Sequence, residues 1–294
     1  MLVRVLVVVL LLVAGCAATS PPSSPTVTGR FGSDPVISIP NGRPDGKLEV
    51  STVIQGHGPV VRPKDYVLLN VEGKVWAGNR LVVDSFTDRQ PQGLPLSTAM
   101  PAWRRLAGQR VGSRVMMVVP PRDGFGPGGN PQANIMGSDT LVFVFDVVDT
   151  MSRSQAATGR PVPYRSGAVH VTSARRVSVA RGATPPATLR SVVLRRGSGP
   201  EIVNGDTVVV QYTGVVWRTG KVFDSSWTRG FPEAFVLGSG QVLAGWEQGL
   251  GGRTVGSRVL LTVPPALGYG TTGKPPDVRP TDTLVFVVDI IAAS

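Results

Sequence analysis

Short apolar runs separated by turn-forming residues recur along the chain. In its second half, runs rich in Val, Leu, Thr and aromatic residues cover residues 207–212, 258–263 and 283–291, and Gly-Pro, Pro-Pro and Gly-Ser pairs punctuate the chain around them. Such runs favour strands. Residues 242–250, with Trp246 at their middle, predict one short helix. The pattern therefore predicts an α+β fold, an antiparallel sheet wrapped on one short helix, with an apolar pocket between helix and sheet.

The same pattern occurs twice, which predicts two homologous domains rather than a solenoid. From residue 47 onward the sequence aligns with residues from 188 onward at an offset of 141, so that Trp76 meets Trp217. A Val-Gly-Ser-Arg motif repeats at an offset of 144 and a Thr-Leu-Val-Phe motif at 143. Insertions in loops explain these changes of offset. The predicted domains are residues 34–150 and 185–294.

Residues 151–184 predict an arginine-rich linker between the two copies. Residues 151–200 contain nine arginines and no Asp or Glu, so that subtracting nine from the net charge of +11 leaves +2 for the rest of the chain. Either the segment is a solvated connector, which we favour, or it contacts anionic lipid or cell-wall polymer. Tyr164 is the one aromatic residue among the arginines, so we expect no nucleic-acid partner. Residues 169–171 and 176–179 predict an edge strand for the second domain, as residues 36–39 do for the first.

The first residues predict export. One positive charge, Arg4, precedes an apolar run at residues 5–13, which is too short for a spanning helix and typical of a signal peptide. The small residues Ala14-Gly15 before the single cysteine, Cys16, resemble a bacterial lipobox. This resemblance implies a signal peptide at residues 1–15, lipid attachment to Cys16 and an extracytoplasmic protein anchored in the cell membrane; a plain secreted protein is the alternative. Residues 16–33 are rich in Ser, Pro, Thr and Gly and predict a flexible tether.

The composition excludes several kinds of chemistry. One cysteine permits no disulfide framework, and two histidines, His57 and His170, give little basis for a metal cluster. We expect neither a metal nor a cofactor.

Five motifs of the second copy carry a family resemblance. They are, in order, Tyr212-Thr213-Gly214, Phe223-Asp224-Ser225-Ser226, Val242-Leu243-Ala244-Gly245-Trp246, Gly268-Tyr269-Gly270 and Thr283-Leu284-Val285-Phe286. With these motifs, residues 189–291 resemble the FKBP-type peptidyl-prolyl cis-trans isomerases. The resemblance implies a rotamase that accelerates isomerisation of Xaa-Pro bonds in protein clients and that binds a macrolide ligand.

The resemblance also implies the roles of the site residues. Trp246 forms the floor under the proline ring, Tyr269 and the Leu243 N–H donate to substrate carbonyls, and Asp224 lies at the pocket edge in reach of Tyr212. Arg229 pairs with Asp224, although that pair can also serve only to fix a loop. The substrate-binding walls are Tyr212, Phe223, Val242, Leu243, Val278 and Phe286. Each aromatic taken alone would more often be ordinary core, and only their joint occurrence indicates a site.

Two positions depart from the family pattern. A wall position that is usually aromatic falls near Glu233, where Phe231 or Phe235 could substitute. The flap before Val278 carries Pro275-Pro276-Asp277 and is more polar than usual. Both changes could weaken macrolide binding or alter the residue preferred before proline.

The first copy lacks most of the pocket residues. Val71, Val83, Ala102 and Phe125 stand where the second copy has Tyr212, Phe223, Trp246 and Tyr269, while Asp84 and Phe143 remain. Trp103 follows one place after the expected floor position and is expected to point elsewhere. We therefore predict a degenerate first domain and a catalytic second domain that assists the folding of exported proteins. The alternative is a non-enzymatic chaperone or docking lipoprotein that uses both folds only for binding.

Overall fold

The computed structural model describes residues 24–165, 167–172 and 175–294. The predicted signal peptide and Cys16 lie outside these described residues. No helix among the described residues is long and apolar enough to cross a membrane.

The first domain is built on a six-stranded antiparallel sheet preceded by a small hairpin. Its strands are β1 (Thr26–Thr28), β2 (Val36–Ser38), β3 (Glu49–Ile54), β4 (Tyr66–Val75), β5 (Arg80–Asp84), β6 (Gln92–Pro95), β7 (Arg114–Val119) and β8 (Leu141–Met151). The sheet order is β3-β7-β8-β4-β5, and β6 pairs with the first residues of β4 while β5 pairs with its last ones. Short 3-10 turns lie at Ala77–Asn79, Trp103–Leu106, Pro121–Asp123 and Pro131–Ala133.

The second domain repeats this architecture with one added edge strand. Its strands are β9 (Arg160–Pro161), β10 (Val169–Val171), β11 (Val177–Val179), β12 (Arg190–Arg196), β13 (Thr207–Val216), β14 (Val222–Ser225), β15 (Glu233–Val236), β16 (Arg258–Val263) and β17 (Leu284–Ala293). The order is β14-β13-β17-β16-β12-β9, with β15 paired to β13. The helices are α1 (Ser226–Arg229) and α2 (Ala244–Leu250), and a 3-10 turn spans Pro265–Leu267. The α+β fold predicted from the sequence is confirmed.

The central strands are buried on both faces, which explains their nearly continuous apolar sequences. On the inner face of the second sheet, alternate residues of β16 and β17 pack under α2, and the outer face has a separate apolar cluster around Trp217 and Leu260. The first sheet has the same two layers, with the outer cluster around Trp76 and Val142.

Two hairpins cover these outer faces, and the sequence-based expectation of edge strands at residues 36–39, 169–171 and 176–179 is wrong. Strands β1 and β2 pair only with each other, and so do β10 and β11. Ile37 and Val169 are buried against the outer clusters. The alternation of apolar and polar residues in these segments therefore reflects packing on a sheet face rather than pairing at a sheet edge.

The internal repeat includes these hairpins, so the predicted tether and linker are wrong in part. Strand β1 lies within residues 16–33, and β9, β10 and β11 lie within residues 151–184. The indole N–H of Trp76 donates to the Gly42 carbonyl at 2.9 Å, and that of Trp217 donates to the Ala183 carbonyl at 2.9 Å. The two tryptophans differ by 141 in residue number, and so do Gly42 and Ala183. Each repeat thus consists of a hairpin, a sheet and a tryptophan of that sheet whose indole binds the segment between the hairpin and the sheet.

A buried ion pair joins the same two strands in each domain. Arg114 and Asp146 are fully buried and form two hydrogen bonds of 2.7 and 2.8 Å. Arg258 and Asp289 form the equivalent pair at 2.6 and 2.8 Å. Each aspartate also accepts a backbone N–H from the segment that precedes its sheet. A charge buried this deeply depends on its partner.

The two domains meet through an apolar cluster with residues from both sheets. Tyr66, Leu68 and Met151 of the first domain pack with Val209, Ile291 and Ala292 of the second. Burial and the nearby Glu233 carboxylate raise the pKa of the Tyr66 phenol. This hydroxyl therefore stays neutral in the contact.

Candidate active site

Five aromatic rings of the second domain come together at one face of its sheet. The Trp246 ring stands edge-on to Phe286 at 5.2 Å and to Tyr212 at 4.9 Å between ring centres. Phe223 contacts Phe286 at 5.7 Å and Tyr269 at 6.3 Å, again edge to face. Edge-to-face pairs stabilise by about 0.5–1.5 kcal/mol beyond their burial, so the rings hold one another in position. The structure thus assembles the aromatic residues that the sequence placed in separate motifs.

Glycines allow this close assembly. A Cβ at Gly214 would lie 2.8 Å from the Phe286 ring and 3.0 Å from the Phe223 ring. A Cβ at Gly245 or Gly249 would come within 2.5–2.6 Å of side chains of β16. The helix α2 can therefore lie directly on the sheet, which places Trp246 beneath the pocket.

A hydrogen-bonded polar cluster lies beside the rings. The Tyr212 hydroxyl donates to Asp224 at 2.7 Å, and Arg229 pairs with the other oxygen of Asp224. Arg229 also donates to the Tyr212 hydroxyl at 3.1 Å and to Glu233 at 2.7 Å. The guanidinium thus ties the phenol and both carboxylates into one arrangement at the pocket edge.

Electrostatics keep the Tyr212 phenol protonated and the Arg229 guanidinium charged. Burial raises the pKa of the Tyr212 phenol, and its hydrogen bond to Asp224 raises it further. Burial opposes the charge of Arg229, but its contacts with Tyr212, Asp224 and Glu233 outweigh that effect and raise its pKa. Tyr212 therefore remains a hydrogen-bond donor to Asp224 at neutral and mildly alkaline pH.

We expect the catalysed isomerisation rate to be nearly independent of pH between about 7 and 9. The raised pKa of Tyr212 keeps its proton in place, and its ordinary value is already near 10. The measurement is kcat/KM for a prolyl tetrapeptide across this range, corrected for the uncatalysed reaction. A rate that falls sharply with a midpoint below pH 9 would contradict this account of Tyr212.

The remaining predicted residues form the rim. Val242, Leu243 and Tyr269 are partly buried against the apolar cluster, and Val278 is buried. Backbone hydrogen bonds between Lys274 and Val278, of 2.9 and 3.0 Å, close the flap that carries Val278. The prolines and aspartate of this flap are exposed.

Lys274 is a rim residue that the sequence analysis missed. Its ammonium lies 3.9 Å from Asp224 and 5.7 Å from the centre of the Tyr269 ring. Only its place next to the polar flap could have indicated this position in advance.

The departure from the family pattern near Glu233 has a structural explanation. Phe235 is buried and packs against Trp246 at 5.8 Å, so it supplies an aromatic wall, whereas Phe231 packs in the contact between the domains. Glu233 instead serves as an acceptor for Arg229. The pocket therefore keeps its aromatic lining and gains a charged edge.

The pocket floor contains one unsatisfied polar group. Trp246 is 5% exposed, and its indole N–H has no hydrogen-bond partner among the described residues. The rest of the floor is apolar. Within the part of the chain that the structure describes, no group of His, Cys, Asp and Glu side chains could hold a metal ion.

The first domain has lost the polar cluster as a unit. The Ser85 and Ser226 hydroxyls each accept a backbone N–H, from Val71 of β4 and from Tyr212 of β13 respectively, which fixes the local offset at 141. At this offset Val71, Val83 and Asp88 replace the three cluster residues Tyr212, Asp224 and Arg229. Phenol, carboxylate and guanidinium are therefore all absent from this pocket.

The sequence alignment around Asp84 was wrong by one residue. Val83 pairs with Gly73 as Asp224 pairs with Gly214, and a bulge follows at the same place in both domains. Val82 is thus the equivalent of Phe223, and Asp84 that of Ser225. The Asp84 carboxylate accepts hydrogen bonds from Phe86 and Thr87 in a turn. It does not play the part of Asp224.

The expectation that Trp103 points away was also wrong. Trp103 stands edge-on to Phe143 at 5.3 Å and 89°, and Trp246 to Phe286 at 5.2 Å and 88°. Trp103 is therefore the floor of the first pocket. That cavity measures about 200 Å³ and is mostly apolar, with walls that include Val71, Val83 and Phe125.

A change of helix type explains how the first domain keeps this floor with one residue fewer. Trp246 and the buried Leu250 are four residues apart in an α-helix, whereas Trp103 and the buried Leu106 are three apart in a 3-10 turn. Residues at i and i+4 share a face of an α-helix, and residues at i and i+3 share a face of a 3-10 helix. Both tryptophans therefore face their sheets.

The comparisons with known proteins agree with this fold. The family model of the FKBP-type peptidyl-prolyl cis-trans isomerases matches residues 58–148 and 199–291. The FK506-binding protein of Streptomyces anulatus is 46% identical over 112 residues, which are 38% of this chain and 90% of that protein. Peptidyl-prolyl cis-trans isomerase FPR2 of Saccharomyces cerevisiae is 47% identical over 30% of this chain and 64% of its own length. FKBP15-2 of Arabidopsis thaliana, also named a peptidyl-prolyl cis-trans isomerase, is 49% identical over 31% of this chain and 55% of its own.

Proposed function

Because the chain belongs to the FKBP-type peptidyl-prolyl cis-trans isomerases, we propose that its second domain carries the isomerase activity and that its first domain does not. The observation that supports this division is the polar cluster of Tyr212, Asp224 and Arg229, which only the second of the two matched domains possesses. Proline-containing protein segments are the proposed substrates.

The pocket suits isomerisation because it favours the twisted amide over the planar amide. The planar Xaa-Pro amide is separated from its isomer by a barrier of about 18–20 kcal/mol and is more polar than the twisted amide at the top of that barrier. An apolar pocket over Trp246 disfavours the planar form relative to the twisted one. The Tyr269 hydroxyl and the Leu243 N–H would orient the flanking carbonyls. Asp224, fixed by Tyr212 and Arg229, would face the carbonyl that rotates.

The test is a protease-coupled isomerisation assay on the full chain. Tyr269→Phe removes one donor to the substrate and keeps the ring that packs on Phe223. A hydrogen bond of this kind contributes about 1 kcal/mol, so we expect kcat/KM to fall roughly fivefold. The matched control is Tyr164→Phe on the outer face, which should leave the rate unchanged. A wild-type chain that gives no acceleration would refute the proposed activity.

Macrolide binding is a second property that we propose for the second pocket. The Streptomyces anulatus relative is named for FK506 binding. In this chain the aromatic lining that includes Phe235 favours such a ligand, whereas the charged edge formed by Glu233 and Lys274 opposes its apolar surface. We therefore expect FK506 to inhibit the isomerisation and Glu233→Leu to strengthen that inhibition. Undiminished activity at saturating FK506 would contradict this proposal.

Export and lipid anchoring rest on the sequence of the first sixteen residues. We propose that lipid attaches to Cys16 and that the part of the predicted tether before β1 holds the folded domains away from the membrane. Labelled fatty acid should enter the wild-type protein in a bacterial host that processes lipoproteins, and Cys16→Ala should abolish the label. Equal labelling of both proteins would contradict the anchor and leave a secreted protein as the alternative.

The apolar pocket of the first domain favours a second candidate function, non-catalytic binding of client segments. The floor made by Trp103 and Phe143 remains, while the polar cluster is absent. Such a pocket can hold a proline or another apolar side chain without accelerating its isomerisation. Trp103→Ala should then weaken the protection of an aggregating client and spare the isomerisation of a tetrapeptide. Unchanged protection would leave the first domain without this function.

A further inference from the structure

The outer face of the second domain carries a concentration of unpaired arginines. Across residues 24–165, 167–172 and 175–294, none of the nine arginines between residues 151 and 200 forms an ion pair with a carboxylate. Seven of the nine are exposed: Arg153, Arg160, Arg165, Arg176, Arg181, Arg190 and Arg196. Hence this charge is available to a partner from solution.

The strand register directs two of them, Arg190 and Arg195, to the outer face. Arg190 lies opposite Thr262, and Arg195 lies opposite Arg258, on the side of the sheet where Val192 pairs with Leu260. Leu260 belongs to the outer apolar cluster that the hairpin covers. Arg160 lies opposite Arg196 on the neighbouring edge.

Two clefts beside the hairpin gather these side chains. One, of about 400 Å³, is lined by Arg165 and Arg190 together with Tyr164 and Trp217, and the other, of about 290 Å³, by Arg195 and His170. No carboxylate lines either cleft. Arginine guanidinium groups in such a concave surface match the oxygens of a phosphodiester.

The first domain provides an internal comparison. Strands β11 and β12 of the second domain follow β2 and β3 of the first domain at an offset of 141. At this offset, six arginines of the second domain correspond to non-basic residues. Residues 175, 176, 181, 190, 195 and 196 correspond to Asp34, Pro35, Pro40, Glu49, Ile54 and Gln55. The fold therefore does not require arginine at these places, because the same hairpin packs on the first sheet without it.

We propose that this outer face of the second domain docks on a membrane surface through the phosphate groups of anionic phospholipids. A membrane is favoured over a soluble polyanion because the charge covers an extended face rather than one deep site, and because the expected anchor at Cys16 would hold the chain close to a bilayer. The isomerase pocket opens on the opposite face of the sheet. Docking in this orientation leaves the pocket open to clients.

The experiment is co-sedimentation of the full chain with vesicles. One set contains phosphatidylcholine alone. The other contains phosphatidylcholine with about one-third phosphatidylglycerol, an anionic phospholipid. The double variant Arg165→Gln/Arg190→Gln removes one cleft's charges. Each arginine near an anionic surface contributes about 1 kcal/mol, or about fivefold, so the anionic vesicles should bind the variant roughly 25-fold more weakly. Binding to phosphatidylcholine vesicles should not change, since the N-terminal segment is the same in both proteins.

The control variant, Arg43→Gln/Arg105→Gln, has the same net charge but loses two exposed arginines of the first domain. It should bind the anionic vesicles within about threefold of wild type, and both variants should retain wild-type isomerisation. Equal losses in the two variants would show an effect of net charge alone and overturn the proposal. So would binding to soluble polyphosphate without binding to anionic vesicles, which would identify a cell-wall type of polymer instead.

Discussion

Replacing Trp246 by alanine should reduce kcat/KM of the full chain for a prolyl tetrapeptide at least 100-fold. The indole is the floor shared by Tyr212, Phe286 and Phe235, so its removal leaves those rings without a common support and admits water beneath the substrate amide. Water would solvate the planar amide and remove the preference of the pocket for the twisted form. A factor of 100 corresponds to about 2.7 kcal/mol of lost transition-state stabilisation.

Trp103→Ala is the matched change in the first domain. It removes an indole that packs on Phe143 with nearly the same geometry, so its cost in stability should be similar, about 3–5 kcal/mol to its own domain. Because the first pocket lacks the polar cluster, the rate on the tetrapeptide should fall less than twofold. Trp246→Phe, which keeps an aromatic floor, should retain measurable activity and shows whether the alanine variant failed only by unfolding. A larger loss with Trp103→Ala than with Trp246→Ala would reverse our assignment of the two domains.

Asp289→Ala should destabilise the second domain by about 3–5 kcal/mol, because it leaves the Arg258 guanidinium buried without a counter-charge. It also removes the acceptor of the Ala157 N–H. For a domain of about 100 residues, a loss of this size lowers the melting temperature by more than about 12 °C. The temperature at which isomerisation is lost on heating reports this change directly.

The equivalent change in the first domain separates stability from catalysis. Asp146→Ala strands Arg114 in the same way, but the temperature at which activity is lost should stay close to that of wild type. Arg258→Met/Asp289→Leu should recover much of the stability, since an apolar pair of similar volume needs no counter-charge. If Asp289→Ala melts like wild type, the buried pair contributes little and this account of it is wrong.

The sequence predicted the second pocket well because its residues act through identity and order. Rings and glycines such as Trp246 and Gly214 lie in motifs that leave little freedom of alignment, and the strands that hold them are marked by β-branched runs. Phe235 was foreseen only as one of two substitutes, because residues near a chain reversal can face either the pocket or the neighbouring domain.

The sequence could not locate the floor of the first pocket because the position of the tryptophan depends on the type of helix. Alignment on the repeated Val-Gly-Ser-Arg motif places Ala102 opposite Trp246. Only the 3-10 turn at Trp103–Leu106 shows that the first domain has one residue fewer within the helix itself. The one-residue error at Asp84 came from matching the two aspartates, which gives an offset of 140, whereas the strand register keeps 141. These one-residue shifts made the first pocket appear to lack the tryptophan floor that it retains.

Both domains have the apolar floor, whereas only the second domain has the polar cluster. The first domain retains the aromatic contact of Trp103 with Phe143 and lacks the three residues equivalent to Tyr212, Asp224 and Arg229. In a hydrogen-bonded group of this type each member orients the others, so the loss of one member leaves the rest without a fixed arrangement. The floor has no such dependence and can persist by itself.

The hairpins on the outer faces decide where the chain can be cut. A fragment limited to residues 199–291 would lack β10–β12 and expose Trp217, Leu260, Val285 and Val287, which the hairpin covers in the full chain. A contiguous apolar patch of this kind promotes self-association. A soluble, monomeric fragment of the second domain should therefore begin near residue 157, and one of the first near residue 24. Fragments cut at the family boundaries would aggregate even though their pockets are complete.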